Sequence, residues 1–289
     1  MHLGQQVEEG IGGGRQPAGG PVGDVVEALG DGVTAFHVGK RVGYFTGCLT
    51  NLVFTSVGRA VIDVLARHRV EVVLPEQNCC GIPALSSGDV DTYLRLARAN
   101  LRSLKALPLD AIIVDCGSCG LALKEYPRLL GEEAGELAGK VYDVSEFLVS
   151  LPEYSRARCR GCHGETPSCG RSTSDERLTS DERLTSDELA HRRRKVVTYH
   201  DPCHLRKGMG VSDEPRQLLK GLPGVEFREM AGADRCCGGA GTYCFSHYDS
   251  AQRIVEPKIQ AIVESGAEVV VTSCPSCTIQ LAHSLKVRG

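Results

Sequence analysis

Ala111-Ile-Ile-Val-Asp-Cys-Gly-Ser-Cys-Gly120 opens with four apolar residues, stops at an acid and runs directly into Cys-x-x-Cys. Four apolar residues, three of them β-branched, are too few for a helix and match a buried strand at Ala111–Val114. Just upstream, residues 89–105 place Leu94, Ala97, Leu101 and Leu104 on one helical face. Before that, residues 70–74 read as a second strand, and the adjacent pair Cys79-Cys80 follows it. Further out, residues 42–46 read as another strand with Cys48 just beyond. Residues 53–68 read as a helix that turns Val57, Val61, Val64 and Leu65 inward. Strand and helix alternating at this spacing predict parallel βαβ units.

The same plan recurs downstream. Lys195–Tyr199 reads as a strand with Cys203 behind it, and residues 225–229 as a strand leading towards Cys236-Cys237. Residues 250–265 read as a helix, and residues 268–272 as a strand ending at Cys274 and Cys277. Cys48, Cys79, Cys80, Cys116 and Cys119 therefore map onto Cys203, Cys236, Cys237, Cys274 and Cys277, at offsets of 155, 157, 157, 158 and 158 residues. Gly81 and Gly238 follow the two adjacent pairs, and each set closes in Cys-x-x-Cys. A lone Cys-x-x-Cys would be weak evidence; five cysteines recurring in order are strong. The expected architecture is α/β: two duplicated cysteine-rich modules, residues 41–150 and 195–289, each a small parallel sheet with flanking helices, related by a pseudo-twofold.

Two segments fall outside this plan. Residues 1–40 hold 11 glycines and no cysteine, and read as a flexible lead-in. Residues 151–194 read as a linker, in which Ser174-Asp-Glu-Arg-Leu-Thr recurs from Ser180 and begins again at Ser186. A short polar repeat cannot bury a core, so an exposed insertion is expected. The basic run Arg192-Arg193-Arg194-Lys195 reads as a solvated segment ahead of a strand rather than a docking patch.

Across all 289 residues, 42% hydrophobic and 24% charged content are those of a soluble globular chain, and the formal net charge of −3 argues against a nucleic-acid partner. Neither an apolar run long enough to span a membrane nor an export signal is evident, so the expected compartment is the reducing cytoplasm. There, 14 cysteines are better spent on metal than on disulfides.

Placement explains how they would bind it. Every cysteine of both sets falls beyond the carboxyl end of a predicted strand, where loops of an open parallel sheet converge on a ligand. Helices begin there too. Their N-termini carry roughly half a positive charge, which favours the thiolate and offsets the charge of a thiolate-bound cluster. Gly81 and Gly238 can adopt positive φ, let backbone pass close to the metal and donate an amide towards sulfur. Structural zinc is the alternative, but it wants four tetrahedral ligands. Five cysteines, two of them adjacent, fit a single zinc poorly and a multi-iron cluster better.

The strings Thr46-Gly-Cys-Leu-Thr-Asn51, Asn78-Cys-Cys-Gly-Ile-Pro83, Asp115-Cys-Gly-Ser-Cys-Gly120, His200-Asp-Pro-Cys-His204, Cys236-Cys-Gly-Gly-Ala-Gly-Thr242 and Ser273-Cys-Pro-Ser-Cys277 carry a resemblance. The chain resembles the tandem cysteine-rich (CCG) domains of the heterodisulfide reductase catalytic subunit and of the iron–sulfur subunits of glycolate and lactate dehydrogenases. The resemblance implies [4Fe-4S] clusters, two for two complete five-cysteine sets. It also implies an electron-transfer subunit that takes electrons from a flavin-binding dehydrogenase subunit towards quinone, at the inner face of the membrane through peripheral association of the complex. In the heterodisulfide reductases, each five-cysteine set resembles the ligands of a non-cubane [4Fe-4S] cluster that cleaves a disulfide directly, and this is the alternative function. The completeness of the ten-cysteine set favours it, whereas the wording around Thr46–Asn51 and Gly238–Thr242 favours the glycolate and lactate type. A third reading is a cluster-binding scaffold left inactive by truncation and insertion. One departure counts: no cysteine precedes Cys48, so the ferredoxin-like iron–sulfur segment expected in the 2-hydroxy-acid relatives would lie on another subunit or upstream of this sequence.

The remaining candidates read more quietly. Cys159-Arg-Gly-Cys162-His163 matches a c-type haem attachment signature but lies in the insertion, so free thiols are expected there, with zinc binding by Cys159, Cys162, His163 and Cys169 as a second option. Cys244 reads as a neutral neighbour. His200, His204 and His247 read as residues that orient the cysteine loops, with proton donation the functional alternative. Asp201-Pro202 reads as a turn.

Overall fold

A computed structural model describes residues 40–151 and 194–288; residues 1–39, 152–193 and 289 lie outside the described residues. The expectations for the lead-in, the repeat insertion, Cys159, Cys162, His163 and Cys169 therefore fall outside them.

The first module follows the strand–helix alternation. Strand β1 (Arg41–Phe45) leads into helix α1 (Gly47–Leu52) and then α2 (Thr55–Arg67). Strand β2 (Glu71–Val73) is followed by the short α3 (Ile82–Ser86) and by α4 (Val90–Lys105). Strand β3 (Ala111–Val114) feeds α5 (Gly117–Leu130), and α6 (Gly135–Gly139), β4 (Val141–Asp143) and α7 (Val144–Ser150) complete the module. All strand pairs are parallel, in the order β2-β1-β3-β4, with Val42 opposite both Val72 and Ala111. Successive side chains alternate between faces. Val42, Tyr44, Ala111 and Ile113 pack with α2 and α7 on one side, and Phe45, Ile112 and Val114 with α4 and α5 on the other.

The second module repeats the core of this pattern. Strand β5 (Lys195–Tyr199) is followed by a π-helical turn at His204–Met209 and by α8 (Asp213–Gly221). Then come β6 (Val225–Phe227), α9 (Tyr243–Ser246), α10 (Tyr248–Glu264), β7 (Val269–Val271) and α11 (Pro275–Arg288). Its parallel order β6-β5-β7 reproduces β2-β1-β3. In both sheets the chain leaves the first strand to one side and returns on the other, which opens a crevice at the carboxyl ends.

Two sequence expectations need correction. The helix expected over residues 53–68 is α2, Thr55–Arg67, preceded by the unexpected α1, and Val57 and Val64, expected to face inward, are exposed. Val61 and Leu65 do face inward, joined by Gly58 and Ile62, at the three- and four-residue steps of one helical stripe. Strand β4 has no counterpart among the expected strands: three residues beside a capped helix give too short an apolar signal. Asp143 caps α7 by accepting from the Ser145 amide at 2.9 Å, with Glu146 completing a capping box. The two crevices face each other. They merge, because α5 packs against the π-helical turn and α7 against α8.

The first contact is a seam of glycines. A methyl group on Gly117 would meet Leu205 Cβ at 2.8 Å, and one on Gly208 would meet Leu121 Cδ2 at 2.7 Å. Backbone crosses the seam as well, with the Gly117 amide donating to the Ser273 carbonyl at 3.0 Å. Apolar side chains of both modules, from Phe45 and Leu123 to Val255 and Leu281, consequently share one core cluster.

A buried ion pair fixes the turn after β5. Asp201, 1% exposed, accepts from Arg216 Nη1 at 2.7 Å and Nη2 at 2.8 Å, and from Arg206 at 2.8 Å. Arg216 also grips Glu229, and its guanidinium lies 5.3 Å from the Tyr199 ring centroid. Burial alone would raise the Asp201 pKa; the two arginines outweigh it and hold the carboxyl below its usual range.

Two predictions concern this frame. Arg216→Met, which strips a buried carboxylate of its bidentate partner, should lower unfolding free energy by about 3 kcal/mol in denaturant titration. Gly117→Ala should cost about 1–3 kcal/mol through overpacking at the seam. A change below roughly 0.5 kcal/mol, the range of ordinary surface substitutions, would contradict either argument.

Candidate metal centre

All ten cysteines of the two sets line one cavity, together with Thr46, Ser118, His200 and His204. Corresponding cysteines sit alike in the two halves. Cys80, Cys116 and Cys119, like Cys237, Cys274 and Cys277, are buried, whereas Cys48 and Cys79 are half-buried and Cys203 and Cys236 exposed. Each set thus has an inner trio and an outer pair. None of the described cysteines is in a disulfide.

The sulfurs form a connected series. Cys48 Sγ is 3.8 Å from Cys79 Sγ. Cys79 interacts in turn with Cys80, Cys80 with Cys119, and Cys119 with Cys116. Cys116 reaches across the module boundary to Cys274, which neighbours Cys277, which neighbours Cys237. Such a row cannot ionise uniformly. Cys79 is held far below the usual thiol range, first by Cys48 and then by Cys80 and the Gly81 amide; Cys48 is driven up by Cys79 and by burial. Cys237 is lowered to about 5, chiefly by Cys277, whose own thiol is pushed up in response. Cys274 is lowered first by Cys116 and then by Cys277. Cys80, Cys119 and Cys116, buried in a row, are all raised, so ionising the whole series calls for a cation among the sulfurs. This is the donor chemistry of a thiophilic metal centre, and soft sulfur at this density fits iron–sulfur clusters.

The local chain explains each position. Cys116 is the N-cap residue of α5 and Cys119 lies in its first turn, so both sit at the positive end of a 14-residue helix. Cys274 stands one residue before α11, whose first residue is Pro275. The Cys79-Cys80 loop is held by Asn100, 0% exposed, which accepts from the Asn78 amide at 2.7 Å and donates to the Cys79 carbonyl and to Tyr126 Oη, both at 3.1 Å. Tyr126 Oη donates in turn to the Cys80 carbonyl at 3.2 Å. Gln77 braces Cys48, accepting from the Gly47 amide at 3.2 Å and donating to the Tyr44 carbonyl at 3.2 Å.

Gly81 and Gly238 both have positive φ, +93° and +76°, as the turn after each cysteine pair requires. The Gly238 amide donates to Cys236 Sγ at 3.3 Å. What crowds each glycine, however, is a helix: a methyl group would strike Tyr93 of α4 at 2.7 Å in one case and the Ala251 carbonyl of α10 at 2.8 Å in the other.

The histidines part company. His204 Nδ1 pairs with Ser118 Oγ at 2.9 Å, and Ser118 lies 3.8 Å from Cys274 Sγ, so this contact ties the two modules at the cavity wall. His247 stacks on Tyr243 and does not line the cavity. His200, 1% exposed, has one ring nitrogen within 4.8 Å of Cys237 Sγ and Cys277 Sγ. Cys244 directs its thiol at the Gly241 carbonyl, 3.8 Å away, and is not among the cavity residues. Asn100, Gln77, Ser118 and Arg216 escaped sequence reasoning. Asn100 alone left a signal, a polar residue on the buried face of an amphipathic helix.

Comparison with known proteins agrees with this arrangement. The cysteine-rich domain model (CCG) matches twice, over residues 42–124 and 197–282. A protein of Bacillus subtilis described as a probable glycolate oxidase iron–sulfur subunit is 34% identical over 257 residues, 86% of this chain and 51% of its own length. A fumarate reductase (CoM/CoB) subunit of Methanothermobacter marburgensis is 34% identical over 253 residues, 87% of this chain and 43% of its own. A lactate utilization protein of a Geobacillus species is 27% identical over 256 residues, 86% of this chain and 93% of its own. The chain thus spans about half the length of the first two relatives. With both five-cysteine sets falling inside the matched segments, the chain belongs to the CCG cysteine-rich domain family.

Proposed function

We propose that this chain is the iron–sulfur electron-transfer subunit of a 2-hydroxy-acid dehydrogenase complex of the glycolate or lactate type, working with a flavin-binding subunit and passing electrons towards quinone. In this reading Cys48, Cys79, Cys80, Cys116 and Cys119 hold one [4Fe-4S] cluster, and Cys203, Cys236, Cys237, Cys274 and Cys277 hold a second. The observation that carries it is the gathering of two corresponding sulfur quintets in one cavity. When bound, such clusters supply one-electron storage at a potential set by their surroundings. The relatives described as glycolate oxidase and lactate utilization proteins support the substrate class. Among the described residues no helix is long and apolar enough to cross a membrane; in this scheme the complex meets the membrane peripherally.

The chain's own residues have definable tasks. The two inner trios exclude water from one side of each cluster site. Asn100 and Tyr126 hold the backbone of the first cysteine pair at the cavity wall, and Asp201 with Arg216 does the same for the Cys203 turn. The Gly238 amide donates towards sulfur, which favours the reduced state. The outer pairs, at the exposed rim, offer the shortest route for electrons to and from a partner.

A second reading is favoured by the same cavity. Two sulfur nests that share one opening could grip a disulfide between them, as in the heterodisulfide-reductase-like alternative. The relative described as a CoM/CoB fumarate reductase subunit supports it.

Anaerobic reconstitution should yield about eight irons and eight sulfides per chain, as two [4Fe-4S] clusters require. Cys80→Ser and Cys237→Ser should each remove about half of both. Zinc bound without sulfide would overturn the assignment. With the flavin partner present, glycolate or lactate should bleach the cluster absorbance. Bleached clusters reoxidised stoichiometrically by a low-molecular-weight disulfide, with no response to either acid, would select the second reading.

A further inference from the structure

The two nests match at their cysteines but differ at one buried neighbour. The offset that maps Cys48 onto Cys203 maps Tyr44 onto Tyr199 and Phe45 onto His200. The strands confirm the match: Tyr44 pairs with Ile113 of β3 as Tyr199 pairs with Val271 of β7. Phe45 is 0% exposed and packs in the cluster that contains Cys80, Cys116 and Cys119. His200 is 1% exposed and lines the cavity beside Cys237 and Cys277. Where the first nest has a hydrocarbon ring, the second has an imidazole.

That imidazole is not held by the surrounding protein, and the polar neighbour it acts on is the Cys237 thiol, which it helps to lower. Its backbone amide donates to the Val271 carbonyl at 2.9 Å, but neither Nδ1 nor Nε2 has a hydrogen-bond partner of normal geometry within the protein. Leaving a buried polar group unpaired costs about 1–3 kcal/mol, a penalty that a phenylalanine at the same place avoids. The nitrogen is nevertheless within 4.8 Å of two sulfurs. What the ring can reach is sulfur: the Cys237 and Cys277 thiolates and whatever they hold in the nest.

We propose that His200 donates a ring N–H to the sulfur of the second cluster centre and sets its reduction potential above that of the first, so that the two centres are electronically unequal. This rests on the cluster assignment above. A donor rather than a ligand role follows from the comparison between halves: the first nest has the same five cysteines with phenylalanine where the second has His200. Hydrogen bonds to cluster sulfur stabilise the more negative, reduced state and raise the potential. The electron at rest then sits in the second nest, beside Cys203 and Cys236, the most exposed cysteines of the cavity. His200 is on this account a positioning and tuning residue, and it takes no part in bond making.

The test compares the anaerobically reconstituted full chain with His200→Phe and His200→Gln, by iron and sulfide content and by potentiometric titration followed by electron paramagnetic resonance. Two separable potentials are expected in the unmodified chain. His200→Phe should keep the full iron content and shift only the higher potential downwards, bringing the two together. His200→Gln, whose amide can still donate, should fall between. Unchanged potentials in a fully loaded His200→Phe would overturn the proposal. So would loss of half the iron in both variants, or a directly bonded nitrogen in pulsed spectra, since each marks a ligand. If the unmodified chain takes up no iron and sulfide, the cluster assignment fails and this inference goes with it.

Discussion

The constraint on which the molecule depends is the meeting of two parallel sheets by their carboxyl ends. A parallel sheet sends every loop that carries its cysteines to the same edge. Duplicating the module yields two such edges. Here α5 and the π-helical turn press them together across glycines that leave no room for side chains. Ten thiols then face one volume, and their mutual repulsion on ionisation must be balanced by whatever binds there. The buried ion pair at Asp201 and the hydrogen bonds of Asn100 hold the cysteine loops together against that repulsion.

This arrangement separates two requirements that a cluster protein must meet. The inner trios, four of whose six cysteines lie at the N-termini of α5 and α11, offer sulfur where water is excluded. The outer pairs stand at the rim, where a partner or a substrate can approach. The same division appears in both halves, so it comes from the module itself rather than from the way the modules dock. The docking adds the contact between Cys116 and Cys274, which makes the two nests one electrostatic system.

Much of this was legible in the sequence. The register of the five cysteines, the strands at Ala111–Val114 and Lys195–Tyr199 and the duplicated parallel topology followed from spacing and apolar runs. What stayed hidden depends on contacts between distant segments. Val57 and Ile62 are equally apolar, and only packing against the sheet decides which one faces inward. The merging of the crevices turns on Gly117 and Gly208, which look in sequence like ordinary loop and helix-start residues. Arg216 lies 15 residues beyond Asp201 with nothing between them to announce a bidentate pair. Asp201 itself reads as a turn former, and its real task shows only once its carboxylate is seen buried. His200 is the opposite case: the sequence singled it out, but its unequal counterpart Phe45 acquires meaning only when both are seen against their sulfurs.

The central claim is that one cavity between the modules houses two metal centres, each held by one quintet. Diffraction from crystals of the reconstituted chain at the iron absorption edge tests it most directly. The account predicts two groups of anomalous peaks inside the cavity, one against Cys48, Cys79, Cys80, Cys116 and Cys119 and the other against their five counterparts. A single peak bound by four cysteines, or iron lying away from the shared cavity, would contradict it.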